Sequence, residues 1–171
     1  MTPQKVIILN PRYTINMQQL TTTQHEIALV GIQIRTNNQL EMNPATAQIA
    51  ALGKRYFSQD LASQIKHRKN PGVTFCAYSD YASDHQGDYC YLLGEEVTHI
   101  SQIPPGCKHL LIPAGKYVKL TSETGPMPKV LIELWQKIWQ MTPETLGGKR
   151  LYNVDYEVHQ PNAADIYLGI Q

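Results

Sequence analysis

Twice along this chain a strand-like run leads into a helical stripe and then into two more strand-like runs, and this recurrence limits the fold more than any other feature. The first strand is expected at 27–35 (IALVGIQIR), whose second half alternates apolar and polar residues as a half-buried strand does. Asn43-Pro44 has the form of a helix start, with Asn as the cap and Pro at the first helical position. Ile49, Leu52, Tyr56 and Phe57 then share a face of a helix expected to run to about Ile65. Strands are expected at 73–81 and 88–97, joined by the polar loop 83–87. A second strand pair follows at 108–112 and 117–121, bent at Pro113-Ala114-Gly115. Beyond Pro126 and Pro128, Leu131, Leu134, Trp135, Ile138 and Trp139 stand at i, i+3, i+4, i+7 and i+8, one apolar helical stripe. Strands at 151–159 and 165–170 close the chain.

The order predicts an α+β domain of two β-α-β-β units sharing an antiparallel sheet, with two helices on one side and a cleft at the seam. A sequence echo points to duplication: Asp80-Tyr81 followed by Tyr91-Leu92-Leu93-Gly94 parallels Asp155-Tyr156 followed by Tyr167-Leu168-Gly169. Residues 1–24 read as an N-terminal arm or linker remnant, with an edge strand at 6–9 as an alternative, and 25–171 as the domain.

Composition excludes several classes. With a net charge of +1 and only 17% charged residues, the chain lacks the basic footprint of direct nucleic-acid binding. The short run Lys66-His67-Arg68-Lys69 is expected at a helix end, complementing the dipole. Val6 to Leu9 is too short for a signal peptide or a membrane span. Cys76, Cys90 and Cys107 form no CxxC pair, and a reducing, cytoplasmic setting is expected. The six His show no HxH or HxxxH spacing, and Asp80, Asp84, Gly87 and Asp88 fit turn chemistry better than a calcium loop, so no metal and no cofactor is expected. There is no GxSxG and no glycine-rich phosphate loop.

The aromatic bias is informative: ten Tyr and two Trp stand against two Phe. Tyr and Trp suit surfaces where one end of the ring is dry and the other meets water or a ligand. Along 152–159, alternation sets Asn153, Asp155 and Glu157 on one face and Tyr152, Val154, Tyr156 and Val158 on the other, which reads as core. A carboxylate at Glu157, held among Tyr and Trp rings, would favour a cation. An enzymatic alternative has Glu157 as general base with Tyr81 or Tyr91 stabilising an oxyanion.

Four ordered motifs carry a resemblance over about residues 26–171: Tyr78-Ser79-Asp80-Tyr81-Ala82-Ser83-Asp84 with Gly87-Asp88-Tyr89, Ile112-Pro113-Ala114-Gly115-Lys116-Tyr117, Trp135-Gln136-Lys137-Ile138-Trp139, and Asp155-Tyr156-Glu157-Val158. Together they resemble the GyrI-like effector-binding superfamily (SOUL/Rob-like), in the branch of integron cassette proteins and AraC-type transcription regulators. The resemblance implies a duplicated β-α-β-β fold and a central cleft with a buried carboxylate, often taking cationic amphipathic drugs or dyes. By motif position it nominates Glu157, Trp135, Trp139 and Tyr81 as ligand-binding residues, to which Tyr91 and Tyr56 are added from the aromatic pattern. Many relatives carry Trp in the first helix where this chain has Leu52-Gly53. The expectation is a stand-alone binding module for a small cationic aromatic molecule, acting as a homodimer or with a regulator partner. The alternatives are a hydrolase of small cyclic toxins in the same cleft and an inhibitor of a cellular enzyme such as DNA gyrase.

Overall fold

The computed structural model describes residues 18–171. Its strands are β1 (Gln18–Gln24), β2 (Ile27–Thr36), β3 (Thr74–Ser79), β4 (Tyr89–Val97), β5 (Lys108–Ile112), β6 (Gly115–Thr121), β7 (Asp155–Gln160) and β8 (Ala163–Gly169). Its helices are α1 (Asn38–Glu41), α2 (Ile49–Ser58), α3 (Leu61–Gln64), α4 (Lys129–Ile138) and α5 (Pro143–Leu146). All eight strands form one antiparallel sheet in the order β1-β6-β8-β7-β3-β4-β2-β5.

The expected α+β architecture is present, and the two β-α-β-β units meet at the central pair β3–β7. The outermost strands cross over. β1 leads into β2 but pairs with β6 of the other unit, while β5 leads into β6 but pairs with β2. Each unit therefore lends a strand to its neighbour.

This exchange bends the sheet. β5 and β6 lie six places apart in the strand order, which in a flat sheet is about 29 Å. Only Pro113 and Ala114 join them, and such a link spans at most roughly 11 Å. The sheet must curl until its ends approach, and the Tyr117 hydroxyl, donating to the Pro113 carbonyl at 2.9 Å, fastens the turn. Leu29, Ala77, Leu92, Ile112, Tyr117 and Tyr156 fill the concave face. On the opposite face α2 lays Leu52 and Tyr56 over Val30, Ile32 and Leu93, and α4 lays Leu134 and Ile138 over Val118, Leu120, Ile166 and Leu168.

Several expectations are corrected. Asn43-Pro44 starts no helix. Asn37 caps α1, its side chain accepting from the Leu40 amide at 2.8 Å. α2 starts at Ile49, where the Glu41 carboxylate from the preceding turn accepts from the amides of Gln48 and Ile49, both at 3.1 Å. The helical region breaks after Ser58 because Asp60 is left-handed (φ 45°), and Phe57 is 64% exposed rather than on the buried face. Residues 18–24, assigned to the arm, are an integral strand, whereas the alternative strand at 6–9 lies outside the described residues. Arg68 and Lys69 do not serve a helix end; they reach Glu95 and Glu96 of β4. The Tyr81–Tyr156 echo does not mark equivalent places, since Tyr81 lies beyond the end of β3 and Tyr156 lies inside β7.

Candidate functional site

A cavity of about 580 Å³ opens between α1–α2 and α4, with the sheet as its floor. This lies within the usual range for small-molecule sites, about 300–1,000 Å³. Two stripes of α4 explain how one helix both packs and lines. Val130, Leu134 and Ile138, each four residues apart, are buried. Leu131, Trp135 and Trp139, one residue further round, face the cavity. Met42, Ile49 and Ala50 form the opposite wall, and Tyr78, Tyr89, Tyr91 and Glu157 come from the sheet.

Glu157 is 1% exposed. Its Oε1 accepts from the Tyr78 hydroxyl and from Trp135 Nε1, each at 2.6 Å. Its Oε2 lies 2.6 Å from Nε2 of His159, two residues along the same strand and so on the same face. Register sets Cys76 directly opposite Glu157, which brings its Sγ to 3.7 Å from the same imidazole nitrogen. Burial opposes the imidazolium, but the contacts with Cys76 and Glu157 outweigh it and raise His159 to about 10. Burial pushes the Cys76 thiol up, so it stays protonated and Glu157 supplies the negative charge. Burial, then the charge of Glu157, holds the Tyr78 hydroxyl well above its ordinary range, so it remains a donor.

This geometry limits the chemistry. A Cys–His–carboxylate relay needs both imidazole nitrogens, one for the nucleophile and one for the acid. Here Cys76 and Glu157 meet the same Nε2. Nor is there room for an ion between Nε2 and Oε2 at 2.6 Å, since ligand bonds of about 2 Å each set nitrogen and oxygen farther apart. The contact is a hydrogen-bonded ion pair.

A second buried acid sits beside the first. Asp155 is fully buried and accepts from Arg150 Nη2 at 2.5 Å, the Tyr81 hydroxyl at 2.8 Å and the Gly169 amide at 3.0 Å. The Arg150 guanidinium lies over the Tyr152 ring, 4.1 Å from its centroid.

Of the six residues nominated from sequence, the structure brings Glu157, Trp135, Trp139, Tyr81 and Tyr91 to the cavity. Tyr56 does not line it; the residue is 1% exposed in the core beneath α2, its ring edge-on to Phe57. Tyr81 does not reach Glu157 either, because its hydroxyl is committed to Asp155, and the tyrosine bonded to Glu157 is Tyr78. The Leu52-Gly53 departure leaves the cavity wall untouched: Leu52 is core, and nothing lies within 4 Å of where a Gly53 side chain would begin. Sequence reasoning missed Tyr78, Tyr89, His85, Arg150, Glu41 and His159. The period-two spacing of Tyr89 with Tyr91, and of Glu157 with His159, carried a signal for two of these. No described helix is long and apolar enough to cross a membrane.

A curled sheet carrying an aromatic cavity with a buried carboxylate, framed by two helices, is the build of an effector-binding domain. The chain belongs to the integron-associated effector binding protein family, whose model matches residues 22–170. It is 28% identical over 148 residues to YobU of Bacillus subtilis (strain 168), which carries the name of a transcriptional regulator; the match spans 82% of this chain and 90% of YobU. An integron cassette protein from the mobile metagenome of Vibrio cholerae has a similar structure, with a TM-score of 0.77 and 25% identity over 92% of this chain and all of the other. SAV2435, solved bound to tetraphenylphosphonium, shares the fold with a TM-score of 0.69 and 13% identity, covering 90% of this chain and 93% of its own.

Proposed function

We propose that the cavity binds a large, cationic, aromatic or amphipathic molecule, and that Glu157, Trp135, Trp139, Tyr81 and Tyr91 form its binding surface. The observation that carries this reading is the Glu157 carboxylate on a floor otherwise built of rings. Its two cavity-side donors, Tyr78 and Trp135, are themselves aromatic. A delocalised cation gains from each ring face about 0.5–2 kcal/mol. The tetraphenylphosphonium held by SAV2435 is a guest of that kind. In this reading the protein works in the cytoplasm as a binding module rather than an enzyme, with any effect on transcription passing through a partner chain or a second copy.

The test is titration with tetraphenylphosphonium, read by tryptophan fluorescence and by thermal shift. A ligand at 100 times its Kd adds about 2.7 kcal/mol of stability. Glu157→Gln keeps an acceptor for Tyr78 and Trp135 while removing the charge. It is expected to weaken binding at least ~10-fold, about 1.4 kcal/mol. Equal affinity in both proteins would remove the carboxylate from the reading.

A further inference from the structure

The cavity's carboxylate already has a counterion, and that counterion stands outside the cavity. Glu157 turns Oε1 to the cavity-lining residues Tyr78 and Trp135, and Oε2 to His159. The His159 side chain is 30% exposed and is not among the cavity-lining residues. One carboxylate therefore separates two routes: a ligand reaches it from the cavity, a proton from solvent through the imidazole.

We infer that cation binding in this cavity is an exchange, in which a positive guest beside Glu157 drives the His159 imidazolium to release its Nδ1 proton to solvent while Nε2–H stays donated to Oε2. This rests on the reading of the cavity as a cation site. The charge balance is simple. Before binding, one carboxylate is matched by one imidazolium; after binding, it is matched by the guest, and the imidazole is neutral. No bond other than N–H breaks, and the proton leaves to water without crossing the cavity. Two positive charges on opposite oxygens of one buried carboxylate would leave one uncompensated, which a buried site resists.

The groups around His159 permit the exchange. On its own strand stands Glu157; from β3 come Cys76 and Tyr78, both held protonated; from β4 comes Tyr91, also pushed well above its ordinary range by burial. Helix α4 contributes the neutral Trp135. The buried Asp155 is already matched by Arg150. Among these groups His159 is the one whose charge can change when a cation binds: burial opposes its imidazolium, and its contacts with Cys76 and Glu157 are what raise it to about 10. The consequence for ligand choice is direct. Because the Glu157–His159 pair is neutral before the guest arrives, that pair attracts little by net charge, and discrimination there falls to the rings. The class favoured is large, weakly hydrated, permanently charged monocations rather than compact ammonium ions.

The experiment is calorimetric titration of tetraphenylphosphonium, which carries no titratable proton, into the full chain at pH 8 in buffers of different ionisation enthalpy. The wild type is expected to release up to one proton per bound cation, with affinity rising by up to ~tenfold per pH unit between pH 6 and 9. His159→Gln keeps a donor to Oε2 without a charge. It is expected to bind more tightly than wild type at pH 7, to release no proton and to lose the pH dependence. His85 also borders the cavity, stacked on Trp139, so a release retained in His159→Gln assigns it elsewhere and overturns the inference. Binding by wild type without proton release overturns it too, while leaving the cation site standing. Failure of both proteins to bind sinks the cation reading itself. NMR titration of the free wild type gives an arm independent of any variant's folding: a His159 imidazole already neutral at pH 8 refutes the resident counterion.

Discussion

At the scale of single residues, the site is a problem in keeping charge out of water without leaving it alone. Glu157 and Asp155 stand two apart on β7, both almost wholly buried, yet each has its own cation and its own tyrosine: His159 and Tyr78 for one, Arg150 and Tyr81 for the other. Burial of such pairs contributes little net stability, but removing one member is costly. The His159 pair also has a pH signature. Its imidazolium is raised from 6.5 to about 10 in the folded protein, so its contribution is fully present below about 6.5 and is lost as pH rises through about 10. Urea denaturation of wild type and His159→Gln across pH 6 to 10.5 should show the wild type's advantage shrinking steadily as pH rises. A difference between the two that is flat across that range would mean His159 is not charged in the folded state. Glu157 was legible because it alternates with core residues on a motif strand. Its partners were not: a tyrosine in a strand reads the same whether it packs a core or donates to a carboxylate, and only register decides which.

At the scale of elements, what was legible followed period. The α4 stripe is unambiguous because apolar residues recur at helical spacing, though that stripe combines two functions, a row packed on the sheet and a row facing the cavity. The α1–α2 region was misread because its cap comes from a carboxylate seven residues ahead of the amide it caps, outside the span of any local capping motif. Glycine placement shows the same dependence on long-range packing. Gly31 and Gly94 face each other across β2 and β4, and a Cβ on either would lie 2.1 Å from a carbonyl oxygen of the opposite strand. No rotamer relieves a clash with backbone, so Gly94→Ala must push the two strands apart. The expected loss is ~2 kcal/mol or more, a fall in Tm of roughly 4–8 °C for a domain this size. Calorimetry finding an unchanged Tm would show that the strands part without cost. Gly53, with open space around it, should accept Ala without such a fall.

At the scale of the whole molecule, the duplication seen in the order of elements is real, but the swap of outer strands was hidden. The pairing of β1 with β6 joins residues about a hundred positions apart, and nothing local in Gln18–Gln24 announces it. The swap matters because it ties the halves on both flanks, while the cavity rests on the strands between. β1 contributes none of the cavity-lining residues; it pairs with β6 along its whole length, and its Gln19 side chain donates to the carbonyls of Thr145 and Leu146 beyond α4. A chain begun at Glu26 should therefore lose stability through the flank rather than the floor. The bare β6 edge would offer unpaired amides and carbonyls to other chains. Expected are a lower Tm and concentration-dependent light scattering. At low concentration, the fraction that stays folded should still bind tetraphenylphosphonium, because Glu157, Tyr78 and Trp135 are held by β3, β7 and α4. If that fraction is folded by circular dichroism but no longer binds, the cavity depends on the swapped strand, and the division of labour between flank and floor is wrong.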